Sequence, residues 1–555
     1  MSADTGITEI NQTNAAEPLE MSSARRWAIT AGVLVGSFIA ALEATVVGTA
    51  MPTVIATLGG INHYSWVFSA YIVTSTVTVP VWGKLSDLYG RRLMYQLGIG
   101  MFLLGTLLSG FSNSMSELII FRAIQGLGAG ALIPLGMTII GDIFTLQERA
   151  RMQALFSGVW GFSSVVGPVV GGFITDQISW RWVFFINIPV GIVAATIIGF
   201  ALKEPKQTRK PTIDYAGAIL LMLAISLLML AMVEGVKSLA TIVAPTNVAL
   251  FGISFVLLYL FVRVERRAKD PIIPFQLLEN RTVSASILAG FLGGIGMFGA
   301  ISFVPLFAQG ALGMSATEAG SLLTPLMLSW VTMSVVGGRL LLKFSYRPLT
   351  IIGFTLLTIG FTLMAMYGTQ TPRFWLYTEL VIIGMGLGFT MLTLLIAVQQ
   401  AVERRQLGVA TSLNQFSRAI GGAFGVAAMG VALTIGLGYQ LHKMADQPGS
   451  PFSHEQAEAF AENPNALIEP SAKSELPAAT LTTLQNAMAA AIHPVFWVGS
   501  IVSLLAVFAS LLLPKGKAGE PECPEEPCGE KMIMAEQTMI NARNQPYSKR
   551  QKPRS

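Results

Sequence analysis

Apolar runs long enough to cross a lipid bilayer recur along this chain, and they constrain its fold more than any other feature. A helix needs about 20 apolar residues to cross roughly 30 Å of hydrocarbon, and in lipid only a helix satisfies its backbone hydrogen bonds within one segment. The sequence therefore predicts an all-α membrane protein with fourteen spans. The predicted spans lie at about 27–50, 65–85, 93–111, 117–140, 153–175, 182–202, 214–233, 246–263, 283–309, 317–342, 348–368, 373–400, 408–437 and 494–514.

The composition supports this class and excludes others. Hydrophobic residues fill 52% of the 555 positions and charged residues only 12%, about half the charged share of a soluble domain. The net charge of +5 is too small for a nucleic-acid-binding protein. The sequence contains neither a phosphate-binding loop nor a catalytic grouping, so we predict that it is not an enzyme. Cys523 and Cys528 lie in the polar tail without a second ligand pair, so we predict neither a metal site nor a cofactor.

Along the chain, loops that are rich in basic residues alternate with loops that contain almost none. Lys and Arg are retained in cytoplasmic loops, and basic residues, such as Arg91 with Arg92 and Arg404 with Arg405, are concentrated in every second loop. The first run is too long for a signal peptide and lacks a cleavage site. We therefore predict a multi-pass protein of the plasma membrane with both termini cytoplasmic.

An internal repeat divides the chain into two related halves. Glycine-rich segments recur at separations between 254 and 258 residues: Gly126–Gly130 matches Gly384–Gly388, and Gly167 with Gly171 matches Gly421 with Gly425. We predict two parallel six-helix bundles joined by two extra helices, with a substrate site between the halves. The predicted domains are an N-terminal tail (1–26), a first bundle (27–202), a linker with two spans (203–282), a second bundle (283–514) with an external loop (438–493), and a disordered cytoplasmic tail (515–555).

We select three of the ionisable residues within predicted spans as functional candidates, because a charge at such depth costs roughly 2.5 to 3.5 kcal/mol. Burial favours the neutral form of Glu43, so this carboxyl is a candidate to gain and lose a proton; alternatively, it pairs with a neighbouring helix as a structural group. Arg122 keeps its charge and could tune such a carboxyl, or it could extend to the interface as an anchor. Arg418 lies deeper and requires a partner that the sequence does not identify.

The loop after the second predicted span carries an acid and a base about one helical turn apart, Asp87 and Arg91. Such a pair could form an ionic latch that holds the two halves together at the cytoplasmic end. Positive charge alone would also retain the loop inside, but that alternative does not require Asp87. The predicted gate around this pair includes Gly83, Gly90 and Arg92.

The fifth predicted span presents a face that is nearly bare backbone. Small residues allow close helix contact, and a proline within a helix removes one hydrogen bond, so we expect tight packing and a kink. Ordinary small-residue packing is the alternative. The residues concerned are Gly158, Gly161, Gly167, Pro168, Gly171 and Gly172.

A cavity for large apolar substrates would present aromatic side chains and few polar groups. Most aromatic residues in such spans contact lipid or neighbouring helices instead, so depth alone selects the candidates. The predicted cavity residues are Phe38, Gln125, Trp160, Phe303, Phe307, Trp330, Asn414 and Gln415.

These motifs together resemble the major facilitator superfamily, and within it the fourteen-helix multidrug proton antiporters. The resemblance covers residues 25 to 515. It rests on Gly83-Lys-Leu-Ser-Asp87-Leu-Tyr-Gly90-Arg91-Arg92, on Arg122-Ala-Ile-Gln125-Gly126, on the glycines from 158 to 172, and on Leu42-Glu43-Ala44-Thr45-Val46-Val47 with Met51-Pro52. It implies that Asp142, at the inner end of the fourth span, is the partner of the latch. The family commonly has Asp at the position of Glu43, and Leu342 stands in the second half where Asp87 would map.

The resemblance implies a proton-coupled exporter of lipophilic or cationic drugs that works by alternating access. Its partners would be protons, a small amphiphilic substrate and the lipid bilayer, with no nucleic acid; we expect a monomer and identify no accessory outer protein. Export of a lipid, siderophore or other endogenous amphiphile is the first alternative. A membrane sensor or interaction protein that keeps the scaffold without transport is the second.

Overall fold

The structure is a computed structural model that describes residues 21–58, 64–204, 214–235, 243–314, 316–341, 343–368, 372–446, 453–462 and 477–515. These residues belong to one compact unit of the chain, Met1–Ala518. They form α-helices and one short 3-10 helix, and no β-strand occurs among them. The predicted tail 1–26 is described only from residue 21, and residues 516–555 of the predicted C-terminal tail lie outside the described residues.

The first half contains seven helices. They are α1 Ser23–Leu58, α2 Tyr64–Tyr89, α3 Arg91–Gly110, α4 Met115–Ile143, α5 Leu146–Gln177, α6 Trp182–Phe185 and α7 Asn187–Ala201. The short α6 and the longer α7 together make one apolar segment, Trp182–Ala201. Two further helices follow in the predicted linker, α8 Tyr215–Gly235 and α9 Pro245–Glu265.

The second half repeats this arrangement with additions near its ends. Its helices are α10 Phe275–Glu279, α11 Arg281–Gly310, α12 Ala316–Ser321, α13 Leu323–Leu341, α14 Tyr346–Met366, α15 Arg373–Gln400, α16 Leu407–Ala445, α17 His454–Glu462 and α18 Ala478–Ser510. The 3-10 turn Arg404–Gln406 directly precedes α16.

Among the described residues, twelve helical segments are long and apolar enough to cross a membrane. The other two predicted spans, 65–85 and 153–175, lie in α2 and α5, which are helical over 26 and 32 residues but less apolar. In α2 this polarity comes from hydroxyl side chains that bond back to their own helix: Thr74 donates to the Ala70 carbonyl at 2.7 Å. Such residues satisfy their polar groups internally, as a membrane helix requires.

The structure shortens the predicted external loop 438–493. Helix α16 continues to Ala445, and α18 begins at Ala478 and continues through Pro494, so the last predicted span starts inside a longer helix. Helix α17, His454–Glu462, lies within the predicted loop. The sequence placed the start of the last span too late because the segment before Pro494 contains polar residues.

Each half has its own apolar core. In the first half Tyr95, Phe102 and Phe156 are fully buried, and in the second half Phe354 and Phe496 are. The extra helices α8 and α9 pack against each other, and the buried side of α8 contacts α2 and α16 in a separate cluster. The extra pair therefore attaches where the two halves meet.

Glycines at repeat-related positions contact equivalent helices in the two halves. A Cβ on Gly126 of α4 would collide with Tyr71 and Thr74 of α2, and one on Gly384 of α15 would collide with Leu326 and Ser329 of α13. Gly167 of α5 likewise contacts α1, as Gly421 of α16 contacts α11. These matched contacts support the predicted duplication.

We expect Gly105→Ala to lower the thermal stability of the purified protein, because a Cβ there would collide with the backbone of Gln125. Overpacking of this kind costs about 1 to 3 kcal/mol. The matched control is Gly100→Ala on the same helix, where no neighbouring atom lies within 4 Å. Thermal unfolding in detergent should separate the two variants; equal unfolding temperatures would contradict the role of this close contact.

Candidate transport site and gate

Glu43 is fully enclosed by protein in the first half. Its Oε1 forms an ion pair with the guanidinium of Arg122, and its Oε2 accepts a hydrogen bond from Asn187 Nδ2 at 2.6 Å. The exposed fractions of the three residues are 0%, 1% and 1%. Arg122 therefore does not extend to the membrane interface as an anchor, and Glu43 does not face lipid.

Arg122 of α4 links the Glu43 carboxyl directly to α2 and, through Gln125, to α3. Its Nη1 donates to Gln125 Oε1 at 2.6 Å, its Nε donates to the Val67 carbonyl at 3.3 Å, and its guanidinium lies 4.3 Å from the centre of the Tyr71 ring. Gln125 Nε2 in turn donates to Thr106 Oγ1 at 2.8 Å. The Glu43 cluster, defined as Glu43, Arg122, Gln125, Asn187, Thr106 and Tyr71, thus joins α1, α2, α3, α4 and α7.

This geometry allows a charge change at a single position. Arg122 and Asn187 both donate to the ionised carboxyl, and protonation of Glu43 would remove the charge to which they are bound. Removing one partner of a buried ion pair is strongly unfavourable unless the other is compensated. A proton on Glu43 would therefore destabilise this arrangement of side chains and favour a different packing of the helices that carry them. An ion pair between Glu43 and Arg122 with a purely structural role would form the same contacts, so the geometry alone does not distinguish the two roles.

Asp87 contacts the second half through main-chain groups. Its Oδ1 accepts from Gly408 N at 3.0 Å and its Oδ2 from Val409 N at 2.8 Å, so the carboxylate caps the N-terminus of α16. It also forms an ion pair with Arg91 one turn later. A carboxylate is favoured at a helix N-terminus because free N–H groups and the helix dipole meet it there.

Arg91 extends this contact into a network. Its Nε donates to Asp142 Oδ2 at 3.1 Å, and its Nη2 donates to the Arg404 carbonyl at 3.4 Å. Arg404 Nε reaches the other oxygen of Asp142 at 3.3 Å. The structure therefore brings together the predicted latch residues Asp87, Arg91 and Asp142, and it adds Arg404 from the second half.

The remaining predicted gate residues shape the backbone. A Cβ on Gly83 would be 2.8 Å from the Gly408 carbonyl, so the two halves touch here at glycine. Gly90 has a φ of 96°, a conformation that favours glycine. Beyond it, Glu204 caps α3 by accepting from the backbone N–H groups of Arg91 and Arg92 at 2.8 and 3.1 Å. The Arg92 side chain is exposed.

The glycine face of α5 divides between two neighbours. Gly167 and Gly171 contact Thr45, Val46 and Thr49 of α1, whereas a Cβ on Gly161 would lie 3.8 Å from Met327 of α13. Gly158 and Gly172 have no such neighbour within 4 Å. Pro168 lies inside α5, which continues to Gln177.

An apolar groove of about 510 Å³ lies between α1, α5 and α13. It is lined by Leu34 of α1, by Gly158 and Phe162 of α5, and by Val331 and Val335 of α13, with Arg151 as its charged residue. Glycine at 158 leaves this side of α5 open. The groove thus lies where the two halves face each other.

The structure does not gather the eight predicted cavity residues into one site. Phe303 and Phe307 lie in the core of the second half, where the Phe307 ring packs edge-on against Tyr367 and Phe496 at 5.8 and 5.9 Å. Both are therefore core residues in this conformation and do not line a cavity. Gln125 belongs to the Glu43 cluster.

The other predicted cavity residues lie near the junction of the halves or at the surface. Phe38 packs on Phe162 with ring centres 6.0 Å apart, next to the apolar groove. Trp160 is exposed and Trp330 is half-buried against the core of the second half. Gln415 Nε2 contacts Met137 Sδ across the junction, and Asn414 is buried one residue earlier on α16.

The comparisons with known proteins agree with this architecture. Residues 33–426 match the family model of the Major Facilitator Superfamily. Multidrug transporter protein MdtP of Bacillus subtilis (strain 168) is 38% identical, with 89% of this chain and 94% of that protein covered. Multidrug resistance protein 3 of the same strain is 37% identical, with 88% and 95% covered. The chain therefore belongs to the Major Facilitator Superfamily and is a membrane transporter, not an enzyme.

A solved structure shares the fold at low sequence identity. The proton:xylose symporter XylE matches with a TM-score of 0.55 and 13% identity, with 90% of this chain and 98% of that chain covered. At this identity the likeness shows the fold alone.

We expect Glu43→Gln and Arg122→Gln to be less destabilising together than the sum of the single changes. Each single variant leaves one buried partner uncompensated, which costs up to about 3 to 5 kcal/mol, and the double variant removes both charges. Thermal unfolding of the four proteins in one detergent measures this coupling. Additive losses would contradict a coupled pair.

We expect Asp87→Asn to open the end of the molecule where α2 meets α16. The variant loses the ion pair with Arg91 and keeps one acceptor for the two N–H groups of α16. Labelling of Thr411→Cys, a fully buried position, with a thiol reagent measures opening, in a protein with Cys523 and Cys528 changed to Ser. The labelling rate should rise at least about tenfold, since a charged hydrogen bond is worth about 1.5 to 3 kcal/mol.

The control for this experiment is Arg92→Gln, which removes an exposed charge next to the latch. It should leave the labelling rate close to that of the parent protein. Equal rates for Asp87→Asn and the parent would show that the latch does not hold the halves together.

Proposed function

We propose that this protein exports small amphiphilic drugs across the plasma membrane in exchange for protons by alternating access. The observation that carries the proposal is the position of Glu43, a fully buried carboxyl whose two oxygens are bound by donors from two other helices. A group placed in this way can couple its protonation state to helix packing. Among the ion-paired carboxyls that the structure describes in the first half, the Glu43 side chain is 0% exposed, whereas those of Asp87 and Asp142 in the latch are 5% and 10% exposed.

The proposed cycle uses both the Glu43 cluster, inside the first half, and the latch of Asp87, Arg91 and Asp142, at one end of the helices. When Glu43 is ionised, Arg122 and Asn187 bind it and the helices of the first half are held in the arrangement described above. A proton on Glu43 weakens these contacts and favours a rearrangement of α1 and α4 against α7. The latch of Asp87, Arg91 and Asp142 must break when the end that it closes opens.

The energy of one proton suffices for useful export. A pH difference of one unit supplies about 1.4 kcal/mol, and each charge that crosses 100 mV supplies about 2.3 kcal/mol. Either term alone would support a roughly tenfold or larger substrate gradient.

Drug export is supported by the relatives and by the groove between the halves. MdtP and Multidrug resistance protein 3 are both named for multidrug transport or resistance, and each matches this chain along most of its length. The groove of about 510 Å³ is lined mainly by aliphatic and aromatic side chains, which suits apolar substrates. We propose that α2 and α5 complete fourteen spans and that both termini are cytoplasmic, which places the latch on the cytoplasmic side.

The alternative of a sensor without transport is not favoured by the site. A non-transporting scaffold has no need to keep an ion pair in the first half and an ionic latch between the halves, and this chain keeps both. Export of an endogenous amphiphile would use the same cycle and would differ only in the substrate.

We expect Glu43→Gln to abolish pH-driven transport, because the amide cannot gain or lose the coupling proton. Inverted membrane vesicles with an imposed pH gradient and a panel of fluorescent amphiphiles with anionic, neutral and cationic head groups measure this directly. Glu43→Asp keeps a titratable group on a shorter side chain and should retain part of the activity.

The matched control is Asp176→Asn, which neutralises an exposed carboxyl at the end of α5. The double variant Glu43→Gln/Arg122→Gln gives a second protein without the coupling carboxyl but with a neutral interior. Full pH-driven transport by Glu43→Gln, at equal amounts in the membrane, would overturn the role of this carboxyl.

A further inference from the structure

The second half contains a half-buried cation that the proposed proton cycle does not use. Arg418 lies about three turns into α16 and is half-buried. Within the described ranges no carboxylate forms an ion pair with it; its hydrogen bond goes to Met391 Sδ at 3.6 Å. A thioether is a weak, neutral acceptor. A guanidinium cannot lose its charge, so this cation remains uncompensated in a place where charge is expensive.

Arg418 is the last member of a polar stripe on one face of α16. Thr411, Asn414, Gln415 and Arg418 follow the spacing i, i+3, i+4 and i+7, which places them on the same side of a helix. We call these four residues the α16 polar stripe. An apolar face would be expected for a helix in contact with lipid, so a polar stripe indicates contact with protein or with an internal cavity.

One contact of the α16 polar stripe crosses to the other half. Gln415 Nε2 contacts Met137 Sδ of α4, while Thr411 Oγ1 accepts from Gln399 Nε2 of α15, in the same half, at 3.2 Å. Gln415 therefore lies at the junction of the two halves, where transporters of this architecture bind substrate, and Asn414 and Arg418 lie next to it on the same side of α16.

A second unpaired donor lies one turn before Arg418. The Asn414 side chain is 4% exposed, and its Nδ2 has no hydrogen-bond partner within the part of the chain that the structure describes. A Cβ built on Gly290 of the neighbouring α11 would lie 3.5 Å from this nitrogen, in ordinary van der Waals contact. An unpaired buried donor costs about 1 to 3 kcal/mol. Gln415 Oε1 also lacks a partner and adds one acceptor to the stripe.

We propose that Arg418 and Asn414 bind a carboxylate on the exported substrate, so that the protein carries acidic amphiphiles. This inference rests on the proposed function, because it names the substrate class of that exporter. The guanidinium supplies charge and paired N–H groups that match the two oxygens of a carboxylate, and Asn414 Nδ2 supplies a further donor. The apolar part of the same substrate would lie against the aliphatic and aromatic surface between the halves.

The charge balance of the molecule supports this assignment. In the first half Glu43 and Arg122 neutralise each other. In the second half Arg418 has no such partner among the described residues. An anionic substrate would supply the missing charge, whereas a cationic substrate would be repelled from this position.

The test is equilibrium binding of three matched fluorescent probes to the purified full-length protein in detergent. The probes share a dansyl-labelled undecanoyl chain and end in a carboxylate, a primary amide or a trimethylammonium group. The parent protein should bind the carboxylate at least about tenfold more tightly than the amide, since charged hydrogen bonds contribute about 1.5 to 3 kcal/mol. The ammonium probe should bind no better than the amide.

Two variants assign the preference to named residues. Arg418→Gln should remove the preference for the carboxylate, and Arg418→Lys should retain part of it because the charge remains. Asn414→Asp should also remove it, because the new carboxylate lies one turn from Arg418 and would pair with it. Asn414→Asp keeps Arg418 in place, so it decides the question if Arg418→Gln fails to fold.

The matched control is Arg339→Gln, which removes an exposed positive charge at the end of α13. It should leave the preference unchanged. Equal binding of carboxylate and amide by the parent protein would overturn the proposal, as would an unchanged preference in Asn414→Asp and in a folded Arg418→Gln. Because no gradient is present, this result is independent of pH-driven transport in vesicles, which tests the exporter itself.

Discussion

The ion pair between Glu43 and Arg122 is the interaction on which the first half of the molecule depends. Two charges far from water are unfavourable separately, and here they become tolerable because they meet and because the side chains around them supply further hydrogen bonds. The contacts reach five helices. A change at one atom of Glu43 therefore alters the packing of most of a bundle, as a transporter needs if a proton is to influence a movement of whole helices.

The two halves share a fold but differ in their internal charges. Glycines at repeat-related positions bring equivalent helices together in both halves, yet the first half contains a neutral ion pair, whereas Arg418 in the second half pairs with no carboxylate among the residues that the structure describes. Leu342, which stands where the sequence repeat would place the counterpart of Asp87, lies outside the described residues. The matched glycine contacts support a duplicated scaffold, and in our proposal the differing charged positions assign the proton to the first half and the substrate to the second.

The sequence predicted the spans well because a membrane helix must be apolar over its whole length, and this property is local. It also selected Glu43 and Arg122, since a charge at depth is conspicuous, and Asp87, since the retention of a loop in the cytoplasm does not require an acid. It could not separate Phe307 in the core from Phe38 beside the groove, because a helix that is apolar on all sides does not reveal how it is rotated. Asn187 was missed, although an amide within an apolar run is a signal of the same kind as Glu43.

The capping of α16 by Asp87 uses no side chain of the second half. Both hydrogen bonds come from main-chain N–H groups, at Gly408 and Val409. Position 408 is restricted to glycine by its closeness to Gly83 and Ser86, whereas position 409 contributes a backbone donor to the cap and a buried side chain to the apolar cluster with Leu277 and Val283. The cap itself therefore tolerates any residue at 409 except proline, while the packing there favours an apolar side chain, so a sequence comparison confined to side-chain identity would record the packing and overlook the cap.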